Sequence, residues 1–364
     1  MKPTLALLVL SVVLIAGCSG NSDRRENSGN EENFVAGTFG YDLAMLKKVH
    51  EDLVLLEDGT GAQVLIAPAY QGRVMTSTAG GDAGKSNGWI NHALIQSGKI
   101  QPHMNAVGGE ERFWLGPEGG QFGLYFAPGA GFTFDQWQVP AALDTEPFQV
   151  VKQGPTEAVF GREMELTNQS GSKFNLRVSR TIRMLDHKAV SEFIGMAVPE
   201  DYPMVAFESE NSITNTGNKP WKRETGLLSI WILSMLNATG NGLVGIPYSQ
   251  GSEKELGPVV TDDYFGKVPS DRLVVTDSVI LFRADAEYRG KIGLSPARAL
   301  DRMFGYDPET GDLTIALFSA PQPGSGYVNS KWEYQNNPFS GDAVNAYNDG
   351  PNEHGGRMGN FYEL

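Results

Sequence analysis

The densest group of side chains able to do chemistry runs from Val107 to Phe122, VGGEERFWLGPEGGQF. Phe113 and Trp114 offer flat apolar faces for the C–H side of a sugar ring. Glu110, Glu111, Arg112 and Glu118 can hydrogen-bond hydroxyls in forked geometry. The glycines between them read as an open loop, and a loop sealed by an Arg–Glu pair explains the same residues equally well. A second polar and aromatic group spans Asn345 to His354 and then Phe361 to Leu364. Arg162 and Arg180 interrupt the apolar faces of two adjacent strand segments on the same side. A guanidinium there must be paired or wet, because burying it alone is too costly. The expectation is a structural ion pair with Glu208 or Glu210; a concave, solvated cleft is the alternative.

Other motifs fit known chemistry only in letters. Ala79–Ser86 (AGGDAGKS) has the loose form of a phosphate-binding loop and follows a strand. Such a loop needs a helix whose N-terminal amides cradle phosphate, and Asn87-Gly88 is a poor helix start. Gly240–Gly245 matches the dinucleotide fingerprint, but Ile246-Pro247 follows where a helix would have to begin. The expectation is therefore no nucleotide partner. The five histidines, His50, His92, His103, His187 and His354, show no metal-ligand spacing, so neither metal nor other cofactor is expected. No Gly-x-Ser-x-Gly elbow is present.

The N-terminus carries a chemical signal of its own. Lys2 precedes an apolar run, Leu5–Ala16, which is short for a membrane span of about 20 residues and fits the core of a secretory signal. Ile15-Ala16-Gly17-Cys18 resembles the lipobox of bacterial lipoproteins, and Cys18 is the only cysteine of 364 residues. The resemblance implies diacylglycerol on the Cys18 thiol. The protein is then exported and anchored to the cell envelope, at the outer membrane if the cell is Gram-negative. A single thiol excludes an intramolecular disulfide. Removing residues 1–17 takes away one basic residue, Lys2, and leaves 28 basic against 43 acidic side chains. That acidity argues against nucleic acid as a partner, so membrane affinity has to come from the lipid.

The elements that must position these groups are mostly strands. Forty-four glycines and twenty prolines punctuate the chain at short intervals. In Phe174–Leu185, Phe174, Leu176, Val178, Ile182 and Met184 alternate with polar residues. Glu157–Thr167 carries a matching apolar face, and a short turn over Asn168–Ser172 makes the two a hairpin. Further strands are expected at Val64–Ala67, Arg73–Thr78, Phe122–Phe126, Ala189–Val198, Val205–Asn215, Leu227–Leu236, Leu243–Pro247, Val274–Arg283 and Leu313–Ser319. Helices are expected at Tyr41–His50 and Ala297–Phe304. Polar residues 18–33 read as a flexible tether, and residues 34–364 as one all-β antiparallel sandwich domain.

Four stretches carry a resemblance. Val64–Thr78, and Asn211–Leu236 with Thr216–Trp221 at its turn, are similar to galactose-mutarotase-like (aldose 1-epimerase-like) proteins, while Gly109–Phe122 and the closing Tyr347–Pro351 to Phe361–Leu364 are similar to a group of exported lipoproteins within that superfamily. The resemblance implies a large antiparallel supersandwich whose concave sheet binds a mono- or oligosaccharide. Its enzymes use a histidine as general acid and a glutamate as general base. Glu363 stands at the base position, while Leu227–Ile230, where the histidine should fall, holds none. Another group must supply the acid if the chain is an enzyme. His92, His103 and His354 are the substitutes named by residue type. Related sequences continue through a closing strand beyond the position of Leu364, which implies a missing last strand. The site expected from the sequence is Arg112, Glu118, Trp114, Glu111 and Arg180 for sugar, with Glu363 as base. The alternatives are a non-catalytic structural or interaction module and an aldose 1-epimerase-like isomerase.

Overall fold

A computed structural model describes residues 34–321 and 324–351 in full, and the backbone of residues 360–363. Cys18, the leader, the tether, His354 and Leu364 lie outside the described residues. In chain order the strands begin with β1 (Val54–Glu57), β2 (Gln63–Ala67), β3 (Arg73–Thr78), β4 (Arg112–Gly116), β5 (Gln149–Gln153) and β6 (Glu157–Thr167). They continue with β7 (Lys173–Met184), β8 (Phe207–Asn215), β9 (Ser229–Leu236), β10 (Leu243–Pro247), β11 (Leu273–Val275) and β12 (Val279–Arg283). The last are β13 (Gly290–Leu294), β14 (Arg302–Tyr306), β15 (Leu313–Leu317), β16 (Val344–Asn348) and β17 (Asn360–Glu363).

All ladders between these strands are antiparallel, and the fold is an all-β sandwich. Four sheets have the orders β1-β2-β3, β5-β6-β7-β8, β11-β12-β10-β14-β15 and β13-β16-β17-β9-β4. The β6–β7 hairpin is the longest ladder, from Glu157↔Arg183 to Thr167↔Lys173. Its apolar face alternates as expected and buries Ala158, Phe160, Leu176, Val178 and Ile182 completely. That face packs with Phe113, Leu115, Phe148, Phe207 and Ile232 into the larger core. Burying each such aliphatic or phenyl side chain contributes about 1.5–3 kcal/mol. A second core lies between β10, β12, β13, β14 and β16 around Ile280, Phe282, Ile292, Leu294 and Met303.

Four expectations fail for local reasons. Val274–Arg283 is not one strand but the β11–β12 hairpin, with the turn at Thr276–Ser278 braced by the Thr276 hydroxyl. Ala189–Val198 is not a strand: His187–Ile194 is a helix, because the Asp186 carboxylate caps the Ala189 amide and Gly195 ends it in a left-handed turn. Ala297–Phe304 is not a helix but a turn leading into β14. There the fully buried Arg298 donates to the carbonyls of Ser249, Gly251 and Gly257, fixing the turn to a distant loop. Phe122–Phe126 is irregular chain, held by the Leu124 amide on Pro117 O while Leu124, Tyr125 and Phe126 enter the core. The helix expected at Tyr41–His50 runs Phe39–Lys47, capped by the Thr38 hydroxyl.

Candidate functional site

The five-stranded sheet brings distant residues into one row. Arg112 on β4 stands opposite Leu233 on β9, which stands opposite Glu363 on β17. Glu363 stands opposite Asn345 on β16, and Asn345 opposite Gly293 on β13. Residues in one row of a sheet belong to one face, and alternate residues along each strand share it. A solvent-open cleft lies beside this row. Trp231, Tyr264, Lys291, Tyr327, Ser330, Asp342 and Asn345 line it.

Each lining group is held from behind. The Trp231 ring meets the Trp114 ring edge to face at 5.3 Å, and Trp114 Nε1 donates to Leu143 O at 3.0 Å. The Arg112 guanidinium lies over the Trp114 ring, 3.5 Å from its centroid. Lys291 Nζ lies 5.6 Å from the Trp231 ring centroid and 5.2 Å from that of Tyr264, a cation held over two aromatic faces. Tyr264 donates its hydroxyl proton to Asp342 Oδ2 at 2.5 Å. Asn345 Nδ2 donates to Ile292 O at 3.2 Å and to the Tyr264 hydroxyl oxygen at 3.3 Å. Gly293 leaves room for them, since a Cβ there would have to push Asp342 Oδ2 and Asn345 Nδ2 aside. Burial pushes the Asp342 carboxyl above its ordinary range. Hydrogen bonds from Tyr264 and Thr261 and the charges of Lys291 and Lys331 pull the other way without cancelling that rise. Burial likewise raises the Tyr327 hydroxyl.

The residues expected from the sequence fall in three places. Glu363 takes a register position in the row of Asn345, and its side chain lies outside the described residues. Glu118 follows β4 at the rim, its amide donating at 3.1 Å to the hydroxyl of Ser330, a cleft residue. Arg112 and Trp114 are both buried on β4, where Trp114 is the cross-strand partner of Trp231 on β9, and neither lines the cleft. The open loop expected around them is instead strand β4, every residue of which is buried.

Glu111 and Arg180 are fully buried and face each other, away from the cleft. Arg180 binds both Glu111 carboxylate oxygens, donates to Gly72 O at 2.9 Å and to Asn211 Oδ1 at 2.7 Å, and Ser209 Oγ donates to Glu111 at 3.0 Å. The partner of Arg180 is therefore Glu111, not Glu208 or Glu210. Glu208 pairs with Arg183, and Arg162 pairs with Glu146. Sequence spacing cannot find a partner 69 positions away, just before an unpredicted strand.

His92 contacts Asp42 at 2.6 Å and His103 Nδ1 contacts Trp137 O at 2.6 Å; neither lines the cleft. Four amides of the Ala79–Ser86 loop are engaged within the fold. Gly80 binds Thr78 Oγ1, Gly81 binds Gly61 O, Gly84 binds Gly81 O and Ser86 binds Gly37 O, while Lys85 pairs with Asp312. Glu110 is buried with Ser77 Oγ donating to it at 2.8 Å, and burial raises its carboxyl to about 7.

Comparison with known proteins gives a fold likeness and a family. Solved structures similar to this chain include a candidate aldose 1-epimerase of Escherichia coli K12, at 12% identity, 85% of this chain, 86% of that one and TM-score 0.45. A galactose mutarotase-like protein of Lactobacillus casei ATCC 334 is similar at 11% identity, over 85% and 99% of the two chains, with TM-score 0.41. A galactose mutarotase related enzyme of Lactobacillus acidophilus is similar at 10% identity, over 86% and 96%, with TM-score 0.36. No curated protein matches the chain. The model of DUF6786, a family of unknown function, matches residues 37–364, and the chain belongs to that family.

Proposed function

We propose that this protein is an exported, lipid-anchored carbohydrate-binding protein whose ligand occupies the cleft beside Trp231. One observation carries the binding reading. Aromatic faces and forked hydrogen-bonding groups converge on one solvent-open cleft, Trp231 and Tyr264 beside Lys291, Asp342 and Asn345. A pyranose has the complementary surface, with an apolar C–H face to lie on a ring and hydroxyls to bridge amide, ammonium and carboxyl groups. The anchor reading rests on the apolar run Leu5–Ala16 and on Cys18.

Thermal shift and calorimetry against a panel of mono- and oligosaccharides test it. At least one sugar should raise the melting temperature. Trp231→Ala should weaken that sugar about tenfold or more, from the loss of roughly 1.5 kcal/mol of ring contact. A panel in which no sugar binds would refute this reading and leave the structural or interaction module.

A further inference from the structure

We propose that the ligand of this cleft is an oligosaccharide rather than a single sugar, and that Phe134, Trp332 and Tyr334 form an outer platform on which the units beyond the cleft stack. This rests on the cleft being a sugar site, and names the length class that it takes.

Three large rings are left in water. Phe134 is 60% exposed, Trp332 36% and Tyr334 71%, on two segments far apart in sequence. Ring contacts join them into one strip. Phe134 stacks on the buried Trp137 at 6.1 Å, and Trp332 stacks on that same ring at 6.0 Å. Phe126 meets Trp332 at 5.2 Å and Phe132 at 5.1 Å, and Phe132 meets Tyr334 at 5.3 Å. A lone exposed ring is ordinary, but rings gathered on one face mark an interaction surface.

The loop that carries two of these rings is fastened before any ligand arrives. Gln121 Nε2 donates to Gln335 O at 2.9 Å, and the Gln335 amide donates back to Gln121 Oε1 at 3.0 Å. Gln335 Nε2 donates to Asn329 O at 3.0 Å and to Lys331 O at 2.8 Å, which closes the loop on itself. The buried Gln169 donates to the Tyr334 hydroxyl oxygen at 3.1 Å. A ring fixed in this way loses little freedom on binding, so its contact with a ligand survives as affinity.

Continuity with the cleft decides the occupant. Tyr327, Val328, Asn329 and Ser330 line the cleft, and Trp332 follows Ser330 by two residues, a reach of about 7 Å. Beneath the surface, ring contacts lead the same way: Trp231 to Tyr125 at 6.3 Å, Tyr125 to Trp137 at 6.1 Å and Trp137 to Trp332 at 6.0 Å. A ligand that outgrows the cleft along this loop meets Trp332 next. Exposed Lys331 and Glu333 alternate with Trp332 and Tyr334, and exposed Asp135 and Gln136 follow Phe134. Each ring is therefore bordered by groups that bind hydroxyls, the mixture that a sugar unit with its C–H face and its hydroxyls requires. The acidic excess of the chain repels an anionic bilayer, the other surface that exposed rings could meet.

The test uses the full mature chain with glucose, galactose and the maltose, cellobiose and galactobiose series, each extended to the hexasaccharide. Binding is read by calorimetry and folding by thermal melts. In the series that binds, affinity should rise about tenfold or more between the monosaccharide and the longest chain. Phe134→Ala and Tyr334→Ala should each weaken the longest chain by about three- to tenfold and leave the monosaccharide within about twofold. Trp231→Ala, which acts in the cleft, should weaken every length. Trp332→Ala should also weaken the longest chain; it strips a contact from Trp137 and Phe126, so the two more exposed positions decide the matter if it folds poorly. Affinity independent of length, or outer variants that do not distinguish long from short, overturns this inference and leaves the cleft reading intact. Binding of zwitterionic vesicles by Cys18→Ala that is abolished by adding Tyr334→Ala does the same, since the rings then face a bilayer. Absence of sugar binding at every length overturns both.

Discussion

Replacing Glu110 with glutamine should change how stability depends on pH, by an amount the structure sets. Glu110 is buried behind the sheet with one oxygen on Ser77 Oγ and the other without a hydrogen-bond partner. Its carboxyl is raised to about 7 from 4.5, first by burial, with Glu111 nearby adding to the rise. Below pH 4.5 the folded and unfolded chains both hold the proton. Between 4.5 and 7 the unfolded chain releases it while the folded chain keeps it, so stability falls as pH rises through that window. Above 7 both forms are ionised and the loss is complete. At 1.36 kcal/mol per pKa unit, the whole loss is about 3 kcal/mol. Glu110→Gln cannot titrate and should be spared it. Urea unfolding of both proteins at pH 4.5, 5.5, 6.5 and 8 gives the difference between them, which cancels every other titrating group and the fixed cost of the amide. That difference should move by about 3 kcal/mol in favour of the variant between the ends of the series. A difference independent of pH would refute the claim that Glu110 folds in with its proton.

Two further outcomes are expected. Glu111→Gln should destabilise the fold by about 3–5 kcal/mol in urea melts, because Arg180 is left buried without its counter-charge. The pair Glu111→Leu with Arg180→Met should cost less than the two single changes added together; simple additivity would mean the charges do not depend on each other. Cys18→Ala should abolish incorporation of labelled lipid and move the protein from the membrane fraction to the soluble one, and continued labelling would remove the lipobox reading.

What the sequence reveals depends on how local the cause is. The β6–β7 hairpin is legible because one face of each strand is buried, which prints a period of two along Phe174–Met184. Strand β4 is not legible: both its faces are buried, so RFWLG shows no alternation, and flanking glycines mimic a loop. Helix His187–Ile194 hides in a β-like composition and is decided by the Asp186 cap. The cleft is the least visible part. Its lining comes from β9, β13, β16 and the loops carrying Tyr264, Tyr327 and Asp342, with no spacing in common. Asn345 stands in the closing polar group and Gly116 in the Val107–Phe122 group, while Ser229, Ile230 and Trp231 stand in the central segment that carries the resemblance. Arg112 and Trp114 are near the mark because they lie one strand away: Trp114 pairs across β4 and β9 with the cleft residue Trp231, and Arg112 covers the Trp114 ring.

The place of β17 has a consequence for assembly. This latest of the described strands is not at an edge; it is wedged between β9 and β16 in the middle of the site sheet. Until Asn360–Glu363 arrives, β9 and β16 have no partner on their facing sides, and the row from Arg112 to Gly293 is split into two halves. The β9 side is available early, with β4 closing on it from more than a hundred residues upstream in the chain. The β13–β16 half lies on the other side of that gap. The two halves can join only by a long-range closure, the slow kind of step in a β protein. During that interval the open edges of β9 and β16 are surfaces on which another strand could seat itself. The cleft is therefore complete only once that closure has been made.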